Sequence, residues 1–186
     1  MKNEIATFGG GCFWCTEAIF KRLKGVISVE PGYTGGLAEQ NAKPSYEEVS
    51  SGTTGYAEAI QIMFDPAVIS YTTLLDIFWH THNPTTRNQQ GADIGSQYRS
   101  VIFYHSEKQQ KQAEESKVNL EKEGYYKEPI VTELLPFTKF FPAESYHKDY
   151  YDRNKDAGYC TVVIDSKIKK LIHMYGNKVK EEYLKK

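Results

Sequence analysis

The chain has 186 residues, of which 40% are hydrophobic, so one substantial core and a single domain over residues 1–186 are expected. Its formal net charge of −1, with both signs interspersed, excludes a strong field toward nucleic acid or an anionic membrane. No apolar run approaches the roughly 20 residues of a membrane span and no signal segment is visible, so the expected location is cytoplasmic. Three cysteines do not suit a disulfide framework and favour redox chemistry in a reducing compartment.

Apolar periodicity and turn residues divide the chain into strands and helices. Ser70 and Ser106 are predicted N-caps, Gly25 is predicted to end the first helix, and Pro31-Gly32 the second strand. In chain order we predict a strand over residues 5–8, a helix over 17–24, strands over 26–30 and 57–64, a helix from 71 to the Asn-Pro at 83–84, a strand over 99–104, a helix over 106–124, a strand over 130–134, a helical stretch over 145–151, a polar loop over 152–159 and an amphipathic helix over 168–179.

Two further segments, residues 32–55 and 85–97, are polar and rich in small residues, and both are predicted as long loops. Loops of this length inside a compact domain are usually functional.

The first six elements follow the order strand, helix, strand, strand, helix, strand, which is the split βαβ pattern of an α+β, ferredoxin-like fold. The predicted architecture is therefore a βαββαβ antiparallel-sheet core with long loops and a C-terminal helical extension. With right-handed crossovers, the first strand lies between the third and the fourth. The end of the first strand then meets the beginnings of the other two, so segments distant in sequence converge at one edge of the sheet.

Cys12 lies where the first strand gives way to a helix, between Gly9-Gly10-Gly11 and Phe13-Trp14. Free backbone N–H groups and the helix dipole stabilise an anion at that point, so a lowered pKa and a reactive thiolate are predicted for Cys12. The alternative is an inert packing cysteine, since free cysteines are often buried. Glycines before the thiol and two large aromatic residues after it favour the reactive interpretation.

Four residues from the sheet edge and the long loops complete the predicted site. Glu58 shares a strand face with three large apolar residues, so its carboxyl group is expected to be desolvated and neutral, and to act as an acid. Tyr46 and Tyr98 would donate hydrogen bonds to an oxygen atom, and Asp93 would orient a water or a tyrosine. The alternatives are a solvent-facing glutamate, ordinary half-buried tyrosines and a turn-forming aspartate.

Residues 11–15 read Gly-Cys-Phe-Trp-Cys. Further distinctive stretches are Gly32-Tyr33-Thr34-Gly35-Gly36, Pro44-Ser45-Tyr46-Glu47-Glu48-Val49, Gly52-Thr53-Thr54-Gly55-Tyr56-Ala57-Glu58-Ala59, Asp65-Pro66 and Gly95-Ser96-Gln97-Tyr98-Arg99-Ser100. In all of them the chain resembles the peptide-methionine (S)-S-oxide reductase family, the A-type methionine sulfoxide reductases, whose signature is Gly-Cys-Phe-Trp followed by Gly or Cys. The resemblance runs from about Ile5 to Cys160.

This resemblance implies an enzyme that reduces methionine S-sulfoxide, free or in oxidised proteins, to methionine. Cys12 would attack the sulfoxide sulfur while Glu58 protonates its oxygen, and Phe13 and Trp14 would enclose the substrate methyl group. Cys12 would become a sulfenic acid, which condenses readily with a thiol. Cys160, in a flexible segment, would then form a Cys12–Cys160 disulfide that thioredoxin reduces.

Cys15 is a second candidate for the thiol that meets the sulfenic acid, because it follows Cys12 at Cys-x-x-Cys spacing. Cys160 is favoured over it. A general thiol–disulfide oxidoreductase that uses Cys12 and Cys15 stays open, as does a non-catalytic domain that binds a metal or a partner. His147 is expected at most to shape the rim of the site.

No cofactor is expected. The histidines and cysteines lack zinc-site spacing, and the three glycines lack the spacing of a phosphate-binding loop.

Overall fold

The computed structural model describes residues 2–36 and 43–184. It has a mixed α+β fold in which helices pack on a curled, mostly antiparallel sheet. The strands are β1 (Glu4–Gly10), β2 (Val26–Thr34), β3 (Ala57–Phe64), β4 (Gln89–Gln90), β5 (Asp93–Ile94), β6 (Ser100–Tyr104), β7 (Glu133–Pro136) and β8 (Phe140–Pro142). The helices are α1 (Phe13–Phe20), α2 (Tyr46–Ser50), α3 (Tyr71–Thr81), α4 (Glu107–Glu123), α5 (Tyr150–Arg153) and α6 (Asp165–Tyr175).

The main sheet has the strand order β7-β6-β1-β3-β2-β8, and β4 and β5 form a separate hairpin. Strand β1 pairs antiparallel with β3 on one side and with β6 on the other, so the neighbours predicted for the first strand are its neighbours in the sheet. Strand β7 pairs parallel with β6. The last residues of β1 therefore lie beside the first residues of β3 and β6.

Strand β3 and helices α3 and α4 lie where the sequence predicts them, because local signals set their bounds. Ser70 Oγ accepts a hydrogen bond from the Thr73 N–H at 3.1 Å, which caps α3. Ser106 caps α4 in the same way, and α4 ends at Gly124 in the left-handed conformation with φ of 65°.

Strand β2 corrects the prediction that Pro31-Gly32 ends the second strand. It continues to Thr34 because it pairs with β3 on one side and β8 on the other, and the Pro31 carbonyl accepts the Ala143 N–H at 2.9 Å. Gly32 fits there since a Cβ atom would lie 2.3 Å from the Phe141 carbonyl oxygen.

The predicted strand over residues 130–134 is also displaced, and β7 begins only at Glu133. The reason is that the Val131 N–H donates to the Pro84 carbonyl at 2.9 Å, which holds this part of the chain outside the sheet.

Both predicted loops contain regular structure. The segment at 32–55 includes α2, which starts with a capping box formed by Ser45 and Glu48, while residues 37–42 of that segment lie outside the described residues. The segment at 85–97 includes the β4–β5 hairpin and a 3₁₀ turn at Ser96–Tyr98.

The helices near the ends of the chain differ from prediction. Helix α1 starts at Phe13 rather than residue 17, and the predicted helical stretch over 145–151 is replaced by α5. Cys160 is not in a loop, because it begins a π-helical turn over Cys160–Ile164 that runs directly into α6. Helix α6 ends at Tyr175, and Val179 instead forms a bridge with Leu23.

The core lies between the sheet and helices α1 and α3. Phe8 of β1 contacts Phe20 of α1, with ring centroids 5.7 Å apart, and Phe78 of α3, with centroids 4.9 Å apart. All three rings are fully buried, which fixes the end of β1 against the start of α1. Across residues 2–36 and 43–184, no helix combines the length and apolarity needed to cross a bilayer.

Candidate active site

The turn between β1 and α1 places Cys12 at the N-cap of the helix. Gly11, just before it, has φ of 90°, and a Cβ atom there would lie 2.5 Å from Cγ of Gln90, so glycine is required. The Cys12 carbonyl accepts the N–H groups of Cys15 and Thr16 at 3.1 and 3.4 Å, which starts the helix at Phe13. The predicted position of Cys12 at a strand-to-helix turn is therefore observed.

Glu58 of β3 lies against this turn. Its Oε2 accepts the backbone N–H of Phe13 at 3.0 Å, and its side chain is almost completely buried. Burial raises the pKa of Glu58 to about 8, and the charges of Asp93 and Cys15 add to that rise, while the hydrogen bond from Phe13 opposes it. The carboxyl group next to Cys12 is thus mostly neutral at pH 7, in the state that can donate a proton.

Cys12 and Cys15 lie in one buried cluster, and each thiol shifts the pKa of the other. Burial raises the pKa of Cys12 well above its ordinary value, and the hydrogen bond with Cys15 and the charge of Glu58 raise it further. The same hydrogen bond lowers the pKa of Cys15 to about 6. The lowered pKa predicted for Cys12 is therefore found on its partner, because Cys12 is enclosed beside a carboxyl group while Cys15 accepts the shared proton.

Cys160 packs in the same buried cluster as Cys12 and Cys15, and all three thiols are free. Burial raises the pKa of Cys160. Its helical position corrects the prediction of a flexible segment, although the thiol lies in the predicted neighbourhood. The structure brings all three cysteines of the chain to one end of α1.

Tyr46 and Tyr98 lie close enough to the buried Glu58 carboxyl group for its charge to act on both phenols. Burial raises the pKa of both phenols, and the charge of Glu58 raises each further, so both hydroxyl groups stay protonated donors. Asp93 Oδ2 accepts the hydroxyl of Tyr159 at 2.8 Å, and that hydroxyl lies 3.6 Å from the sulfur of Cys15. Asp93 is thus placed to orient a tyrosine, one of the two roles predicted for it.

Trp14 and Phe13 form an aromatic wall beside Cys12. The Trp14 indole stacks on Tyr150, with ring centroids 3.7 Å apart and planes 7° from parallel, and meets Tyr159 edge-on at 6.0 Å. The ring of Phe13 is buried, and its centroid lies 4.9 Å from that of His147.

His147 also contacts the Trp14 indole, whereas the sequence predicts only that it shapes the rim of the site. Trp14 Nε1–H donates to His147 Nδ1 at 3.0 Å, and an indole is only a donor, so the histidine proton belongs on Nε2. Burial lowers the pKa of His147, which keeps this ring neutral. Nε2 lies 3.8 Å from Oε2 of Glu144, too far for a hydrogen bond, and that oxygen accepts the hydroxyl of Tyr33.

Sequence reasoning misses the roles of His147, Tyr150 and Tyr159. The spacing of three residues between His147 and Tyr150 is the available signal, because a helical turn would put both on one face. Their contact with Trp14 depends on how this segment docks on α1, which periodicity does not reveal. Among the described residues, no group of three or more His, Cys, Asp or Glu side chains is arranged to hold a metal ion.

Comparisons of the sequence and of the structure with known proteins point to the same family. The family model described as peptide methionine sulfoxide reductase matches residues 4–180. A protein named peptide methionine sulfoxide reductase MsrA from Sulfolobus acidocaldarius is 56% identical over 176 residues, which cover 94% of this chain and 97% of that protein. A protein of the same name from Thermus thermophilus is 53% identical over 170 residues, covering 91% of this chain and 94% of that protein.

A solved structure shows the same likeness. The crystal structure of Mxr1 from Saccharomyces cerevisiae in reduced form superposes with a TM-score of 0.80 at 34% identity, covering 86% of this chain and 90% of that chain. With a family model over nearly the whole length and relatives above half identity, the chain belongs to the peptide methionine sulfoxide reductase family.

Proposed function

We propose that this protein is a thiol-dependent reductase that converts methionine sulfoxide, of the S epimer, to methionine. The observation that supports the proposal is the hydrogen bond from the Phe13 N–H to Glu58, which ties a buried carboxyl group to the residue that follows Cys12. Family membership supports the substrate class. The preference for the S epimer rests on the family resemblance.

In the first step, the Cys12 sulfur attacks the sulfoxide sulfur while its proton passes to the Cys15 thiolate, the form that a pKa of about 6 favours at neutral pH. Glu58 donates its proton to the sulfoxide oxygen, and Tyr46 and Tyr98 hold that oxygen by hydrogen bonds. In the resulting adduct the hydroxyl group moves from the substrate sulfur to Cys12 as the bond between the two sulfur atoms breaks, so methionine leaves reduced and Cys12 is oxidised to a sulfenic acid.

Two groups of residues support this step. Phe13 and Trp14 enclose the substrate methyl group, and Asp93 acts through the Tyr159 hydroxyl beside Cys15.

In the second step, the sulfenic acid is resolved by a thiol. Cys15, in contact with Cys12, condenses with it to a disulfide and releases water. Cys160 then attacks the Cys12 sulfur and Cys15 leaves, which gives the Cys12–Cys160 disulfide. A low thiol pKa makes a good leaving group, and Cys15 has the lowered pKa of the pair.

The reductant is proposed to be thioredoxin, whose dithiol would reduce the Cys12–Cys160 disulfide and be oxidised in turn. Free methionine sulfoxide and oxidised proteins are both proposed substrates. The cytoplasm is proposed as the location, since its reducing conditions keep thiols free. A ferredoxin-like core in a single domain is proposed for the fold, supported by the order of β6, β1, β3 and β2 in the sheet.

The test is a single turnover without reductant, using both sulfoxide epimers. Wild type should form one methionine per protein from the S epimer and none from the R epimer, and lose two thiols. Cys12→Ser should form none. Cys160→Ser should still form one methionine but end with a Cys12–Cys15 bridge, which mass spectrometry identifies. Reduction of neither epimer, or full turnover by Cys12→Ser, would refute the function.

The contact between Cys12 and Cys15 also favours a second candidate, a general thiol–disulfide oxidoreductase. Such an enzyme would reduce a small disulfide at a useful rate without sulfoxide, and Cys15→Ser would abolish that activity. Wild type that reduces methionine sulfoxide but leaves the disulfide untouched excludes it.

A further inference from the structure

Glu17 is a buried carboxyl residue that the proposed chemistry does not use. It lies on α1, one turn beyond Trp14, and only 2% of it is exposed. Burial raises its pKa to about 7, as do the charges of Asp149 and Asp152, while the hydrogen bond from Asp149 and the charge of Lys21 lower it. Ionising a carboxyl group in such a place is unfavourable. The contacts that Glu17 makes therefore need an explanation.

Both carboxyl oxygens of Glu17 accept the same backbone N–H, that of Asp149, at 2.9 and 3.1 Å. Asp149 has φ of 55° and ψ of 27°, a left-handed conformation that a residue with a Cβ atom rarely adopts. Its own side chain does not cap α5 and forms an ion pair with Lys21 instead. Glu17 thus accepts a hydrogen bond from Asp149, the residue of this turn that has the left-handed conformation.

The residue after this turn is Tyr150, which stacks flat against the indole of Trp14. Trp14 and Glu17 lie one turn apart on α1. They therefore contact two consecutive residues, Tyr150 and Asp149, of the segment that packs on this helix. The position of the tyrosine ring follows from the backbone direction that the turn at Asp149 imposes.

We propose that Glu17 is a positioning residue, whose carboxyl group holds the left-handed turn at Asp149 and so fixes Tyr150 and the Trp14 wall of the substrate site. It acts through other residues and does not touch the reacting atoms. The part of this inference that concerns substrate rests on the proposed function, because Trp14 is there assigned to the substrate methyl group.

The test compares Glu17→Ala with Glu17→Gln, which keeps a carbonyl oxygen to accept the Asp149 N–H. Glu17→Ala should raise KM for free methionine sulfoxide roughly ten- to a hundredfold, the scale of a small misplacement in a site, with a smaller change in kcat. Glu17→Gln should stay within about threefold of wild type. In protein labelled with 5-fluorotryptophan, the Trp14 fluorine resonance should move in Glu17→Ala alone, with Trp79→Phe assigning the other resonance.

Two further variants separate positioning from general stability. Asp149→Gly relieves the left-handed conformation, so the double variant Glu17→Ala/Asp149→Gly should recover most of the KM and the Trp14 resonance. Lys21→Met removes the ion pairs of Lys21 to Asp149 and Asp152 but leaves the backbone hydrogen bond to Glu17, and should keep the wild-type KM.

The proposal is overturned if Glu17→Ala lowers the melting temperature while KM and the Trp14 resonance keep their wild-type values. It is also overturned if Lys21→Met raises KM as much as Glu17→Ala does, because the ion pair would then account for the effect. Absence of sulfoxide reduction in wild type would refute the proposed function alone, since the Trp14 resonance tests the positioning role without activity.

Discussion

The protonation state of Glu58 links the surroundings of one residue to the proposed chemistry. Its carboxyl group is buried between β3 and the start of α1, with the Phe13 N–H as its hydrogen-bond donor. Because burial raises its pKa to about 8, it holds a proton at neutral pH and loses it above that value. An acid with a pKa near the working pH is well suited to proton donation.

Substitution Glu58→Gln should therefore reduce the single-turnover rate of sulfoxide reduction by about 10²- to 10⁴-fold, the range usual for a general acid. In wild type the rate should fall as pH rises through about 8, since the carboxyl group is then deprotonated. The residual rate of Glu58→Gln should not fall above pH 8, which rapid-quench measurements between pH 5 and 10 would test. Glu144→Gln is the matched control, and its rate should still fall above pH 8. A rate that falls in the same way in Glu58→Gln would contradict the assignment.

At the scale of elements, the pairing of β2 with β8 depends on Gly32. A Cβ atom there would lie 2.3 Å from the Phe141 carbonyl oxygen and 2.5 Å from the ring of Phe140, which are distances that real Cβ atoms do not show. The strands would have to separate to accommodate it. Gly176 differs, because it has helical backbone angles and no atom lies within 4 Å of the place that a Cβ atom would take.

We expect Gly32→Ala to lower the free energy of unfolding by about 1–3 kcal/mol or more, as other overpacking substitutions do. Gly176→Ala should be neutral or stabilise by about 0.4–1 kcal/mol, because alanine restricts the unfolded chain. Urea denaturation of both variants measures the difference. Equal stability of the two variants would show that β8 tolerates displacement from β2.

Local signals account for the elements that the sequence predicts well. Strand β3 has apolar residues at every second position from Ile60 to Phe64 and stops at Asp65-Pro66, and the caps Ser70 and Ser106 act within one turn of their helices. Strand β2 shows the limit of such signals, because pairing on both sides overrides a Pro-Gly pair that ends strands elsewhere.

The same division holds for the candidate site. Cys12 and Glu58 could be found, because a strand-to-helix turn and an acidic residue on an apolar strand face are visible in sequence. The contact of Tyr150 with Trp14 arises only when a distant segment docks on α1. The location of the low thiol pKa also depends on tertiary structure, since burial and the neighbouring Glu58 decide it.

At the scale of the whole molecule, the C-terminal segment packs against the residues that follow α1. The Lys24 N–H donates to the Lys178 carbonyl and the Lys180 N–H to the Arg22 carbonyl, both at 2.8 Å. Between them, Val179 is fully buried opposite Leu23. Val179, near the end of the described chain, thus belongs to the main core.

Val179→Ala should consequently lower the free energy of unfolding by about 1.5 kcal/mol, since it removes about two buried methylene equivalents. Val162→Ala is the matched control, because Val162 is 75% exposed, and its effect should stay within about 0.5 kcal/mol. Chemical denaturation of the full-length variants compares them. A Val179→Ala variant as stable as its control would mean that the segment adds nothing to the core.

Stability should also depend on pH through buried carboxyl, imidazole and thiol groups. Burial raises the pKa of Glu17 to about 7 and of Glu58 to about 8, so the folded protein holds two protons that the unfolded chain releases near pH 4.5. Their contributions to the free energy of unfolding therefore decrease as pH rises from about 4.5 to 8. His82 acts in the opposite sense, because burial lowers its pKa to about 3, and the unfolded chain binds its proton below about 6.5.

Above pH 6.5, His82 no longer contributes to the pH dependence of stability. Glu17 and Glu58 both contribute up to about pH 7, and Glu58 alone contributes from there to about pH 8. Cys15 opposes the carboxyl groups over the same range, because its pKa is lowered to about 6 and the folded protein loses that proton before the unfolded chain does. The effect of Glu58 is therefore expected as a difference between two proteins: from pH 5.5 to 8.5, wild type should lose stability relative to Glu58→Gln by a few kcal/mol, because the amide does not titrate. Urea unfolding of both proteins at the two pH values measures this. An equal pH dependence in wild type and Glu58→Gln would show that Glu58 does not hold its proton in the folded state.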